Sequence, residues 1–275
     1  MGSSGSWERE RGYREKSLSK PRILKLGGSL ITYKEKPLTV RDEVLDRVSR
    51  EIEMAWSDGV KKIVIVHGGG SFGHYIASRV LEERGEIDLE GFSDIAWYMN
   101  ELNREVVKSL RRYSLPAVQI STRGVVFERD RKLIINIDLI RSMIDAGLIP
   151  VLFGDVIISD ARFRILSGDE LAWNIAPEIE ADWVLFASII DGVYDRPPER
   201  GGSRVIRLLR VSKDLSVELG EGYGIDVTGG MRTKILSGER ALARGVRGLI
   251  FNGLKHMNIY KALTGSLDQG TVIEY

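Results

Sequence analysis

The chain has 275 residues, 40 Lys+Arg against 39 Asp+Glu for a net charge of +1, 43% hydrophobic residues and no cysteine. That length suits one large domain or two joined lobes, and the balance is that of a globular protein rather than a disordered or fibrous one. A near-zero charge leaves no whole-chain case for a nucleic-acid or membrane partner, and the missing cysteine excludes disulfides, zinc-thiolate sites, iron-sulfur clusters and thiol nucleophiles.

Residues 1–20 begin Met-Gly-Ser-Ser-Gly-Ser and continue with charge, lack the apolar stretch of a secretion signal, and read as a disordered arm or an appended remnant. Arg22 to Leu26 is β-prone and runs into Gly27-Gly28, and Val40 to Trp56 carries helical spacing through Val44, Leu45, Val48, Ile52 and Ala55. Ile63 to Val66 is a second strand, broken by His67 and three glycines, before a helix over Tyr75 to Arg84. A longer helix over Ile95 to Arg112, a strand at Ala117 to Ile120, a helix at Leu139 to Ala146 and a strand at Ile149 to Phe153 continue the alternation. A hairpin (Val156–Ile158, Phe163–Leu166) precedes a helix at Asp169 to Ile179 and a strand at Asp182 to Ala187. Thr233 to Arg244, Gly248 to Phe251 and Asn258 to Leu263 close the chain as helix, strand and helix. Strand-helix alternation argues for an α/β protein with a mostly parallel sheet covered on both faces. Acidic punctuation near Glu178 to Ala181 places the seam between an N-terminal lobe, 21–179, and a C-terminal lobe, 180–275.

Glycine stands out at 30 residues, bunched where strands give way to helices. Bare backbone N–H groups at a helix mouth are an anion site. The Gly68-Gly69-Gly70-Ser-Phe-Gly73 stretch formally fits a dinucleotide fingerprint with Asp88 following, but no strand precedes that acid. His74 stands where a ring nitrogen can donate to an anion held by the loop; for His67, beside a buried strand, structural and functional roles weigh evenly. Lys25, at the end of the first strand, points to a phosphate contact, whereas Lys34 and Lys36 read as solvated unless their loop acts as a lid. Asp169 opens a helix, an ordinary place for an acid, and Asp155 and Asp160 read as turn residues. Thr228-Gly229-Gly230-Met231, with Lys234 one turn on, is a second anion-binding turn, although no P-loop pattern occurs. Two such turns with lysines imply a donor phosphate opposite an acceptor anion. The first loop brings no carboxylate base, and an acceptor that is itself a phosphate, with a second pKa of roughly 6, needs none.

These residues resemble the amino acid kinase superfamily and, within it, the isopentenyl phosphate kinases. The pieces are Lys25-Leu-Gly-Gly-Ser-Leu-Ile-Thr32, His67-Gly-Gly-Gly-Ser-Phe-Gly-His74, Gly154-Asp-Val156, Ser167-Gly-Asp169, Asp191-Gly-Val-Tyr194, Asp226 to Met231 with Lys234, and Asn252-Gly253. The resemblance implies a three-layer αβα sandwich whose first lobe takes isopentenyl phosphate and whose second takes ATP with Mg2+, making isopentenyl diphosphate for the alternative mevalonate route of isoprenoid synthesis. Carried over by position, Gly69, Gly70, Gly73, His74 and Gly168 hold the acceptor phosphate. Lys25 and Lys234 neutralise the transferring group, and Asp169 orients them. Gly27, Gly28, Asp191, Gly192, Tyr194, Gly229, Gly230 and Met231 belong to the nucleotide, with Lys34 or Lys36 as the loop lysine. Ile76, Val80, Ile95 and Met99 are candidates for the C5 tail. A cytoplasmic homodimer is the expected setting. Two departures stand out: Tyr75 where a proline commonly follows the second histidine, and Ser188-Ile-Ile190 where an acid commonly precedes Asp191. Rival readings are a fosfomycin-type or UMP-type kinase of the same superfamily, a phosphometabolite sensor without catalysis, and a nicotinamide enzyme.

Overall fold

Arg22–Leu26 (β1), Ile63–His67 (β2) and Ile149–Phe153 (β6) are five-residue strands in which every residue is buried. Such runs cannot face water on either side, so they become central strands of a sheet covered twice. This is the outcome in the computed structural model, which describes residues 20–196, 202–211 and 234–275. Besides these, the described strands are Ala117–Gln119 (β3), Val126–Arg129 (β4), Lys132–Ile135 (β5), Asp155–Ser159 (β7), Arg162–Leu166 (β8), Trp183–Ser188 (β9), Leu208–Arg210 (β10), Arg247–Asn252 (β11) and Thr271–Glu274 (β12). The described helices, in chain order, are Gly28–Ile31 (α1), Asp42–Ser57 (α2), Gly70–Arg84 (α3), Leu89–Arg112 (α4), Thr122–Val125 (α5), Ile137–Asp145 (α6), Gly168–Ile175 (α7), Glu239–Ala243 (α8) and Asn258–Thr264 (α9).

Among the described residues the main sheet has eight strands in the order β10-β12-β11-β9-β1-β2-β6-β3. Neighbours are parallel except β11 and β12. Alternate residues of β1 feed opposite cores. Leu24 and Leu26 face Val48, Ile52, Ile95, Met99 and Ile259 from α2, α4 and α9, while Ile23 faces the side packed by Ile140, Leu171, Trp173 and Leu242 from α6, α7 and α8. The three-layer αβα sandwich expected from the sequence is therefore present. Its two cores divide by sheet face: β9 pairs with β1, so the sheet runs unbroken past Glu178–Ala181.

Several local expectations need correction. Helix α3 starts at Gly70, within the glycine run, because the turn is already the helix's first turn. Asp88 caps α4, its side chain accepting from Gly91 N at 2.8 Å, which leaves nothing of the dinucleotide reading. The β4–β5 hairpin was not foreseen because its turn residues Asp130 and Arg131 take positive φ without being glycine. The Asp160 carboxylate supports them by accepting both their amides at 3.1 and 2.8 Å. Helix α7 ends at Ile175, short of Ile179, because Pro177 forbids its continuation. The short strands β10 and β12 were also unforeseen. The expected helix from Thr233 is interrupted at Ser237-Gly238, where Gly238 is packed against the Trp173 ring.

Candidate active site

The carboxyl ends of β9, β1, β2 and β6 meet along one rim, the usual binding edge of an open parallel sheet. Backbone bonds step across it: Gly27 N donates to Ala187 O at 2.8 Å, Gly68 N to Leu26 O at 2.9 Å, and Gly154 N to His67 O at 2.9 Å. Three helices begin there, at Gly28, Gly70 and Gly168, so their unpaired amides converge on one space. Two of the glycines are required by contact. A Cβ on Gly28 would lie 2.2 Å from Gly70 N, and Gly70, at φ +50°, would place a Cβ 2.2 Å from Thr32 Oγ1. Thr32 locks the two turns together. Its hydroxyl donates to Gly28 O at 2.9 Å and accepts from Ser71 N at 2.9 Å.

The enclosed space is about 700 Å3 and is lined by Lys25, Gly27, Gly28, Gly68 to Gly70, Gly73, His74, Gly154, Asp155, Gly168, Asp169 and Lys234, among others. Asp169 sits between the two lysines, with Oδ1 2.7 Å from Lys25 Nζ and Oδ2 2.6 Å from Lys234 Nζ. Burial alone would raise the Asp169 carboxyl, but the two ammoniums outweigh it and hold it well below the usual carboxylate range. Lys234 is pulled down to about 8, chiefly by burial and then by Lys25, with Asp169 opposing. Its ammonium also lies 5.0 Å from the Phe186 ring centroid. The floor of the cleft thus carries one more positive charge than negative, ringed by amides, a setting that favours bound anions. His74 is exposed at the start of the second turn of α3, at the cleft wall.

The sequence pattern of the Amino acid kinase family matches residues 20–252. The chain is 38% identical to an isopentenyl phosphate kinase of Methanocaldococcus jannaschii, over 92% of this chain and 98% of that one. The chain belongs to the amino acid kinase family, on its isopentenyl phosphate kinase branch. An isopentenyl phosphate kinase of Methanothermobacter thermautotrophicus is 35% identical over 91% of this chain and 98% of its own. A solved structure described as isopentenyl phosphate kinase superposes with a TM-score of 0.77 at 30% identity, covering 92% of this chain and 99% of that chain.

Within that family frame the residues singled out from sequence fall into distinct places. Lys25, Asp169, Lys234, His74, Gly27, Gly28, Gly69, Gly70, Gly73 and Gly168 all line the one cleft. Ile95 and Met99 line it too, whereas Ile76 and Val80 do not. They occupy the inward stripe of α3 and are buried in the core, and the adjoining stripe, Ala77, Ser78 and Leu81, faces the cavity instead. Lys34 and Lys36 are exposed and outside the cleft wall, with Lys36 Nζ 5.1 Å from the Tyr33 ring centroid. Asp191 borders a second cavity of about 290 Å3 with Arg204, Val205, Arg207, Lys255, Gln269 and Gly270. Lys255, 2.8 Å away, then Asn252, lower its carboxyl. Gly192 is buried beside Thr271, and Tyr194 pairs with Val205 of that cavity. Gly229, Gly230 and Met231 lie outside the described residues.

His67 is interior. Its Nδ1 is 3.0 Å from Gly68 O, its Nε2 3.2 Å from the Asn103 side chain, and its ring stacks on Phe153 at 5.4 Å; burial takes its pKa down to about 4. It serves the loop from behind as a neutral ring. Asp155, read as a turn residue, is instead the buried first residue of β7, paired with Arg123 at 2.6 Å and raised to about 6 by burial. Thr32, Asp155, Arg123, Ser78 and Leu81 had no functional role from sequence, and only Thr32 and Asp155 stood inside a quoted motif.

Proposed function

We propose that this chain transfers the terminal phosphoryl group of ATP to isopentenyl phosphate, yielding isopentenyl diphosphate and ADP. The observation that carries the reading is the Lys25–Asp169–Lys234 bridge at the floor of a cleft walled by the glycine loop and His74. The acceptor monophosphate rests on the amides of Gly69, Gly70, Gly73 and Gly168, with His74 donating to it. At neutral pH its oxygen is already anionic and attacks without a base. Lys25 and Lys234 balance the charge spread over the transferring group, and Asp169 keeps both ammoniums aimed at that point, so catalysis is positioning plus electrostatics. Ala77, Leu81, Ile95 and Met99 give the C5 tail an apolar bed, with Ser78 beside it.

In this reading residues 21–179 carry the acceptor and 180–275 the nucleotide, with Asp191, Gly192, Tyr194, Gly229, Gly230 and Met231 on the donor side. Among the described residues no cluster of histidine or acidic side chains is arranged for a metal, and both Asp169 oxygens are engaged by lysines. Mg2+ therefore belongs to the proposal as a companion of the ATP phosphates, where it would offset their charge. A place in isoprenoid synthesis, a cytoplasmic location and a homodimer complete it; exposed Leu89 and Trp97 on α4 offer apolar surface for a second copy, which sedimentation would test. Among the described residues no helix is long and apolar enough to cross a membrane.

The test is ADP release from ATP with isopentenyl phosphate, dimethylallyl phosphate, UMP, fosfomycin and acetylglutamate in parallel. Turnover confined to the isoprenyl phosphates is the expected result. Preference for UMP or fosfomycin would replace the substrate, and binding without ADP release would make the protein a sensor.

A further inference from the structure

Glu51 is a charged side chain outside the lining of the cleft, only 2% exposed on α2. Its carboxylate reaches an element distant in sequence: Oε1 accepts from Met257 N and Oε2 from Ile259 N, each at 2.9 Å. Arg47, one helical turn earlier, donates to Glu51 at 2.6 Å and, through its other nitrogen, to Gly253 O at 2.6 Å. The pair grips both ends of the segment 253–257. Met257, a non-glycine residue at φ +64°, keeps that left-handed conformation while its amide is bound by Glu51.

What this segment carries is the reason for the grip. Asn252 Nδ2 donates to Asp191 Oδ1 at 2.9 Å, and Lys255 Nζ lies 2.8 Å from the same oxygen. Asn258 Nδ2 in turn donates to Asn252 O at 2.9 Å, tying the segment's start to α9. A continuous line of bonds therefore runs from α2 through 252–258 to Asp191 at the smaller cavity, where Arg204, Arg207 and Gln269 also face. A helix whose apolar face serves the core uses its polar pair to set a carboxylate in the other half of the chain.

We infer that Arg47 and Glu51 are positioning residues for the donor nucleotide: they fix segment 252–258 so that Asn252 and Lys255 hold Asp191 in place for the nucleotide. The inference rests on the ATP reading of the preceding subsection. Neither residue lines the cleft, so neither touches the acceptor. Loss of the pair should loosen nucleotide binding and leave acceptor binding alone.

Glu51→Gln places an amide donor against backbone N–H groups, and Arg47→Met, at a partly exposed site, removes the hold on Gly253. For Glu51→Gln the KM for ATP and the Kd for ADP by calorimetry should each rise about tenfold, and for Arg47→Met about threefold, with the KM for isopentenyl phosphate changed less than about twofold. Arg47→Lys should recover part of the loss. Unchanged ATP and ADP values in folded variants, or equal losses for both substrates, would overturn the inference. If Glu51→Gln does not fold, Arg47→Met decides alone. Wild-type protein that releases no ADP with isopentenyl phosphate would defeat the substrate reading, while the ADP titration still tests the positioning pair.

Discussion

Asp169 Oδ2 lies 2.6 Å from Lys234 Nζ, and the same carboxylate reaches Lys25 with its other oxygen, so the two lysines of the cleft are spaced by one acid. Without it, two ammoniums would face each other in a partly dry cleft. Lys234 sits at about 8 with Asp169 in place. Removing the acid takes away the main influence opposing burial and Lys25, so the ammonium becomes easier to deprotonate.

For the wild-type protein, kcat/KM for isopentenyl phosphate should be bell-shaped, with an acid limb near the acceptor phosphate's second pKa of roughly 6. Read at ATP well below its KM, so that the unliganded protein titrates, the alkaline limb should lie near the Lys234 value of about 8, as its charge is lost. Bound nucleotide phosphates stabilise the ammonium, so the alkaline limb of kcat should lie above that of kcat/KM. Asp169→Asn should lower the rate and move the alkaline limb to lower pH. A limb that stays put would show that Lys234 is not the titrating group.

His74 is exposed at the start of the second turn of α3 and is not part of either core. His74→Ala should therefore leave the melting temperature unchanged while reducing kcat/KM for the acceptor by about 10²- to 10³-fold, the usual cost of one lost donor to a developing charge. His74→Gln, which keeps a donor, should recover part of that. Wild-type turnover by the alanine variant would refute the role.

The strand-turn-helix rhythm was legible because buried strands here are runs of Ile, Val and Leu ending at glycines, and a turn made of backbone leaves that mark. Lys25 and the glycine loop were legible for the same reason, each standing at a strand end or helix start, whereas Asp169 opens a helix like any other acid and drew its role only from the family resemblance. What sequence could not give was phase and long-range closure. Ile76 and Val80 looked like tail-pocket residues, but α3 turns them inward and presents Ala77, Ser78 and Leu81. Glu51 looked like one more acid on an amphipathic helix, because its partners are amides about two hundred residues away.

That phase correction is testable. Ser78 lines the acceptor cavity and its neighbour Ala77 is also small, so Ser78→Phe should fill part of the tail's volume. The KM for isopentenyl phosphate should rise by about tenfold, the cost of steric exclusion from an apolar pocket, with the KM for ATP unchanged. An unchanged acceptor KM would place the tail elsewhere.

Gly28 and Gly70 meet backbone to backbone, so no rotamer can relieve an added methyl. Gly28→Ala must push the two turns apart, at a cost of roughly 3 kcal/mol or more, and it should abolish turnover even where the protein stays folded. Gly59→Ala, at a surface turn with nothing near the new methyl, is the control for backbone strain alone, and it should retain activity.

Two buried groups, His67 behind the glycine loop and Asp155 at the cleft wall, pull stability in opposite directions as pH falls. His67, at about 4 when folded against an ordinary 6.5, binds fewer protons in the native state between those values, so its contribution is lost as pH drops through that window, by about 3 kcal/mol in all. Asp155, at about 6 when folded against 3.8, binds more protons in the native state, so over nearly the same window it adds about 3 kcal/mol as pH drops. Together they should nearly cancel in the wild-type protein, and only variants will separate them. Denaturant unfolding between pH 4 and 7 should show Asp155→Asn losing stability more steeply with acid than wild type, and His67→Gln losing it less steeply or gaining it. Parallel curves for all three proteins would mean that His67 is not the neutral, buried ring that steadies Gly68, and that Asp155 does not sit dry against Arg123.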